Sequence, residues 1–135
     1  MYGIFSVEFL YNEQKDQDSN EKYPLPFSPP IQFFNEWDWE IISNGKTFEN
    51  LHFSIQVKHA MKQDRVAKNE EETASYTLFG AKIQSKLKLS KFQSDIILSG
   101  QNIFNQTYFN HMSYYRALEI PEMGRNIQLI IQITF

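Results

Sequence analysis

The chain has 135 residues, enough for one ordinary domain, with 13 Lys and Arg against 16 Asp and Glu and a formal net charge of −3. That balance excludes the basic field of a nucleic-acid binder, and the absence of cysteine excludes disulfides, thiolate metal sites and thiol catalysis. No window reaches the roughly 18 apolar residues of a membrane-spanning helix, but a mean hydropathy of −0.48 leaves open a transmembrane β-barrel, whose strands alternate lipid-facing and lumen-facing residues.

The opening Met1-Tyr2-Gly3-Ile4-Phe5 lacks the basic and apolar regions of an export signal, so the chain reads as cytoplasmic or as the downstream part of something longer. Period two then dominates. Residues 2–11 form a first, weakly patterned strand. Residues 12–29 are acidic and amide-rich and end in a proline cluster, a long polar connection. In 31–42, Ile31, Phe33, Trp37, Trp39 and Ile41 alternate with Gln32, Glu36, Asp38 and Glu40. Ser43-Asn44-Gly45-Lys46 carries an Asn-Gly turn signal. In 50–62, Leu51, Phe53, Ile55, Val57 and Met61 alternate with His52, Ser54, Gln56, Lys58 and Lys62. Residues 63–74 are a second long connection, with Asn69-Glu70-Glu71-Glu72-Thr73. In 75–89, Phe79, Ala81, Ile83, Leu87 and Leu89 oppose Lys82, Gln84, Lys86 and Lys88. A short turn at Ser90-Lys91 leads into a strand over 93–104, and a third long connection fills 105–125. The last strand, 126–135, places Ile127, Leu129, Ile131, Ile133 and Phe135 on one face, with Ile130 the exception on the other.

The expected fold is all-β, an antiparallel up-and-down meander of about six strands with short turns at one end and long loops at the other. Strands of about ten residues tilted near 45° span roughly 23 Å, close to the apolar band of an outer-membrane barrel. Periodicity also permits a soluble lipocalin-like barrel with its apolar face inside. The aromatics favour the membrane facing: Trp39, Phe53, Phe92 and Phe135 lie toward the short turns, and Phe9, Tyr11, Tyr76 and Phe104 toward the long loops, as in two interfacial girdles.

Asn102-Ile103-Phe104-Asn105, then Tyr108, Asn110-His111 and Ser113, then Pro121-Glu122-Met123-Gly124-Arg125-Asn126 before a strand ending in Phe135, resembles the C-terminus of TonB-dependent outer-membrane receptors. Leu25-Pro26-Phe27-Ser28-Pro29-Pro30, Asp64-Arg65 and Glu71-Glu72-Thr73 with Tyr76 are similar to that family's late barrel. The resemblance spans residues 1–135 as one C-terminal barrel segment and implies a 22-stranded transmembrane barrel whose plug and earlier strands are absent here. It also implies an outer-membrane location in a Gram-negative bacterium and energised uptake of a scarce nutrient, most often a ferric siderophore or other metal complex. The implied partners are the rest of the barrel and plug, outer-membrane lipid, the assembly machinery and, through the plug, the inner-membrane TonB complex, without nucleic acid or a resident cofactor. Asn102, Phe104, Asn105, Tyr108, Asn110, His111, Gly124, Arg125 and Asn126 are its motif residues, and Phe135 its assembly signal.

Sites are sparse. His52 and His59 are seven apart and fall on opposite faces of a strand, so no metal site is expected, and His111 reads as loop structure. Glu36, Asp38 and Glu40 form an acidic row that can pass cations or, as the plainer reading, stand in a barrel wall opposed by Lys82, Lys86 and Lys88. The sequence shows no Ser/His/Asp set, activated nucleophile or phosphate loop, and no catalysis is expected. Asn105-Gln106-Thr107 matches a glycosylation sequon that the bacterial resemblance makes irrelevant. Tyr114, Tyr115 and Arg116 are weak ligand candidates: they can stack on or pair with an anionic iron chelate, or pack against neighbouring loops.

Overall fold

Alternation of apolar and polar side chains does produce the strands. The computed structural model describes residues 1–16, 20–89 and 92–134, and contains β1 (Tyr2–Glu8), β2 (Gln14–Lys15), β3 (Lys22–Tyr23), β4 (Gln32–Asn44), β5 (Phe48–Ala60), β6 (Tyr76–Leu89), β7 (Phe92–Gln101) and β8 (Asn126–Thr134). One antiparallel six-stranded sheet runs β1-β4-β5-β6-β7-β8, so each long strand pairs with its neighbour in sequence. The minor hairpin β2-β3 and a 3₁₀ turn over Tyr114–Leu118 lie inside the first and third long loops, which the sequence reads as irregular.

Register sorts the two faces row by row. Tyr2, Asp38, Ser54, Lys82, Ser99 and Gln128 stand opposite one another across all six strands. The adjacent row is Gly3, Trp37, Ile55, Ala81, Gly100 and Ile127. A slip of one residue in any pair would exchange these sets, so the pattern holds the register. Ile130 keeps apolar company on the polar face, opposite Ile97.

Two expectations change in detail. Ile41 drops out of the pairing register. It is the extra residue of a β-bulge between Glu40 and Ile42, and Ile42 pairs with Leu51 in its place. A second shift lies between Glu49 and His52, where Asn50 has φ 51°. The Asn-Gly segment does turn, but β4 continues through Asn44 and the connection is three residues, 45–47. Neither Asn44 nor Gly45 has positive φ, so the primed two-residue turn is not used. Glycine is needed at 45 for space, because a Cβ there would lie 2.1 Å from the Phe48 carbonyl oxygen.

Burial is inverted relative to a soluble sheet. Apart from Pro24, Pro30 and Gly80, the buried apolar residues among those described are Ala60, Ala67 and Tyr76, whereas Asp38 is 1% exposed and Ser54 0%. On the other face Ile127, Leu129, Ile131 and Ile133 are all more than half exposed. The expected girdle splits accordingly. Phe9 and Phe104 are exposed at the long-loop end, but Tyr76 is 6% exposed. It shares the polar face through its pairing with Ala60 and packs on Tyr108, ring centroids 4.5 Å apart. Ser90-Lys91 and Phe135 lie outside the described residues, as does the Phe92 side chain.

Candidate functional site

The polar face forms one half of the candidate site. Asp38 is its hub: Ser54 Oγ donates to Oδ2 at 2.6 Å and His52 Nδ1 to Oδ1 at 2.7 Å. A serine, a histidine and an aspartate therefore do meet, which the sequence reading missed because the residues are spread over a hairpin. The order is wrong for nucleophilic catalysis. The carboxylate takes both hydrogen bonds, and no bond joins Ser54 to His52 among the described residues, so no base is set to remove the hydroxyl proton. Glu36 accepts from Gln56 Nε2 at 3.2 Å and faces Lys82 Nζ at 3.8 Å. Lys82 thus opposes the acidic row as expected. Lys88 instead pairs with Glu49 at 2.8 Å. His59 lies on the other face, against Thr77 and Phe33, as the spacing requires.

The other half is built where the three long loops meet, at the carboxylate of Glu70. Its Oε1 accepts from the backbone N–H of Phe27, in the first loop, at 3.0 Å and from Arg116 Nη2, in the third, at 2.8 Å. Its Oε2 accepts from its own loop, from Ala67 N at 3.0 Å. His111 Nε2 lies 3.3 Å from Oε1, within ion-pair distance but not aligned for a hydrogen bond, while its Nδ1 meets Thr73 Oγ1 at 3.0 Å. Arg116 also donates to the Glu71 carbonyl, and Phe27 packs on Tyr114 with centroids 4.8 Å apart. The node is largely buried: the side chains of Glu70, Arg116 and His111 are 9%, 10% and 1% exposed. Burial alone would raise the Glu70 carboxyl pKa. The Ala67 and Phe27 amides, with His111 and Arg116, outweigh it and hold the group below the usual carboxylate range. Burial, then Arg116, lowers the His111 imidazole despite the pull of Glu70.

The resemblance motif forms a third, purely structural cluster. Asn102 sits at φ 48° just past β7, which therefore ends at Gln101 rather than running to 104. Its amide spans the loop, with Oδ1 accepting from Gln106 N at 2.8 Å and Nδ2 donating to Gln106 O at 2.8 Å and to Met123 O at 3.4 Å. Asn105, φ 55°, accepts from Arg125 N at 2.9 Å. A Cβ at 124 would lie 2.6 Å from Asn105 Oδ1, so any larger residue there would displace the Asn105 amide from its bond to Arg125. Phe104 packs edge-on to Phe79 at 5.1 Å. Tyr108 O accepts from Glu122 N, and burial raises its phenol. Asn110 closes the turn before Ser113, and Asn126 opens β8 opposite Gln101. These residues tie the end of β7 to the start of β8.

Of the ligand candidates, Arg116 is committed to Glu70 and Glu71, Tyr114 packs on Phe27, and Tyr115 is 59% exposed. The structure thus joins Tyr114 and Arg116 in one inter-loop cluster and leaves Tyr115 outside it. Two hollows flank the loops. One of about 410 Å³ borders the node, with Phe27, Lys68, Glu70 and Arg116 in its lining. The other, of about 290 Å³, opens beneath the last loop between Phe34, Lys58, Gln56, Gln101 and Tyr108. Among the described residues no group of three or more His, Asp or Glu side chains is placed to hold a metal ion. Glu70, the centre of the cluster, carries no signal in the sequence, where it is one of three consecutive glutamates. No protein-family model, no curated protein and no solved structure matches the chain.

Proposed function

We propose that this chain is the C-terminal segment of a TonB-dependent outer-membrane receptor, six strands of a 22-stranded barrel, serving energised uptake of a scarce nutrient such as a ferric siderophore or another metal complex. The observation that carries this reading is the inverted burial: Asp38 and Ser54 enclosed on one face, and Leu129, Ile131 and Ile133 exposed on the other. Such a sheet has its lowest free energy with lipid against the apolar face and water or protein against the polar one. A lipocalin-like soluble module would face the other way. The resemblance of the segment from Asn102 to Asn126 supplies the family, and the long-loop clustering fits an extracellular end.

In this reading the three loops help capture the ligand, the polar face lines the lumen, and the chain performs no catalysis. The remaining strands and the plug complete the protein, the TonB complex acts on the plug, and the outer-membrane assembly machinery reads Phe135. Fractionation tests the proposal. The protein should sediment with Gram-negative outer membranes and need detergent for extraction. A water-soluble monomer that melts cooperatively without detergent would defeat it. Sequencing the DNA upstream of the Met1 codon adds an independent check, with an in-frame plug and export signal the expected outcome.

A further inference from the structure

Glu70 is placed so that one carboxylate takes bonds from all three loops, and the first two are also joined to each other through Gln63 to the Ser28 carbonyl, Arg65 to the Asn12 carbonyl and Lys68 to Asp16. Glu70 accepts from the first loop through Phe27 N, from the second through Ala67 N, and from the third through Arg116 Nη2. Beside it stands His111, 1% exposed, with Nε2 3.3 Å from the same carboxylate oxygen as Arg116. The tautomer follows from this setting. The negative carboxylate 3.3 Å from Nε2 favours the proton on that nitrogen, which makes Nδ1 the acceptor of the Thr73 hydroxyl. A second proton on the ring has to enter at Nδ1. It would reverse the Thr73 bond inside a buried site and add a net positive charge next to Arg116, whose own charge Glu70 already balances.

We infer that the Glu70 node is an acid-released clasp: neutral His111 lets the third loop close on Glu70 and the first two loops, and a proton taken up at His111 Nδ1 frees it. The charged groups facing His111 are Glu70, from the second loop, and Arg116, from its own. Those facing Glu70 are His111 and Arg116, and its remaining partners are backbone amides. The sign is fixed. A histidine whose folded form holds its proton less tightly stabilises the closed state fully above the ordinary imidazole value of 6.5, and that stability is lost as pH falls below it. Glu70, also held low, acts in the same direction but only below 4.5. The two stages separate in pH. The inference is independent of the membrane reading, because it concerns loop contacts and not what surrounds the sheet.

The test uses the whole protein as the cell makes it. Since residues 1–135 contain no cysteine, cysteines introduced in this segment at Leu25→Cys and Leu118→Cys, both exposed positions, can carry spin labels on the first and third loops, any cysteine elsewhere in the protein being replaced first. The distance between labels should be narrow at pH 7.5. A longer population should grow below 6.5, with the open-to-closed ratio rising by up to about tenfold per pH unit, the limit for one proton per opening. His111→Gln keeps a donor toward Glu70 and an acceptor toward Thr73 without titrating, so its distances should not change between pH 7.5 and 5. Glu70→Gln should be open at both. A wild-type distance independent of pH, the same pH response in His111→Gln, or a closed Glu70→Gln would each overturn the clasp. If His111→Gln is open throughout, the His111 ring protons of the wild type, followed by NMR, decide: titration in step with the label distance supports the clasp, and titration out of step overturns it.

Discussion

Asp38 in the sheet and His111 among the loops are equally buried, at 1% exposure, yet they are held in different ways. Asp38 finds Ser54 directly opposite in register and His52 on the same strand as Ser54, all within one hairpin. His111 depends on Thr73, 38 residues away, and Arg116 on Glu70, 46 away. The sheet therefore repeats a local rule, and each row is supported by the next. The loop node gathers three segments on one carboxylate, and the other ties between the loops, such as Gln63 to Ser28, Arg65 to Asn12 and Thr73 to His111, are individual contacts rather than repeated rows. Damage to the wall should be graded and dependent on the face, whereas damage to the node should be severe and confined to the loops.

The largest expected effect follows from the node. Glu70→Ala leaves Arg116 and two backbone amides without their acceptor in a largely buried site, a loss of about 3–5 kcal/mol for the loop cluster. Hydrogen exchange should show the Phe27 and Ala67 amides losing protection while those of β5 and β6 keep theirs. Equal loss in both regions would show that wall and cap are one cooperative unit.

Face dependence of the wall is tested one residue apart. Leu129→Arg should cost about 2–4 kcal/mol in a lipid bilayer, since Leu129 lies on the exposed apolar face opposite Leu98. Gln128→Arg, in the row with Ser99 and Lys82, should be nearly neutral. Unfolding measurements in bilayers that gave equal penalties, or the reverse order, would overturn the assignment of the faces.

Asn102→Ala joins the two regions, because Asn102 ends β7 and ties down the last loop. Loss of its amide bonds at a positive-φ position should cost about 1–3 kcal/mol, read as faster exchange at the β7-β8 end alone. The smallest effect is expected at the surface. Lys62 and Glu72 lie 2.6 Å apart, but both side chains are more than half exposed, so Lys62→Ala should leave the melting temperature within measurement error.

What the amino-acid sequence determined by itself was everything that repeats. The alternation around Phe53, Ile55 and Val57, or around Ile127, Leu129 and Ile131, sets the strands and which side chains share a face, because a side-chain period of two is a property of the extended backbone and needs no distant partner. The motif residues Asn102, Asn105, Gly124 and Arg125 were also visible, through the resemblance that carries them, though not the bonds they make. Tertiary structure alone decided which of three adjacent glutamates turns inward, that Arg116 is spent on Glu70 rather than left free, that Tyr76 faces in rather than out, and that a bulge replaces Ile41 by Ile42. Each of these depends on groups brought together from different loops or strands. A carboxylate becomes buried through the partners that reach it, and no property of Glu70 itself distinguishes it from Glu71 or Glu72.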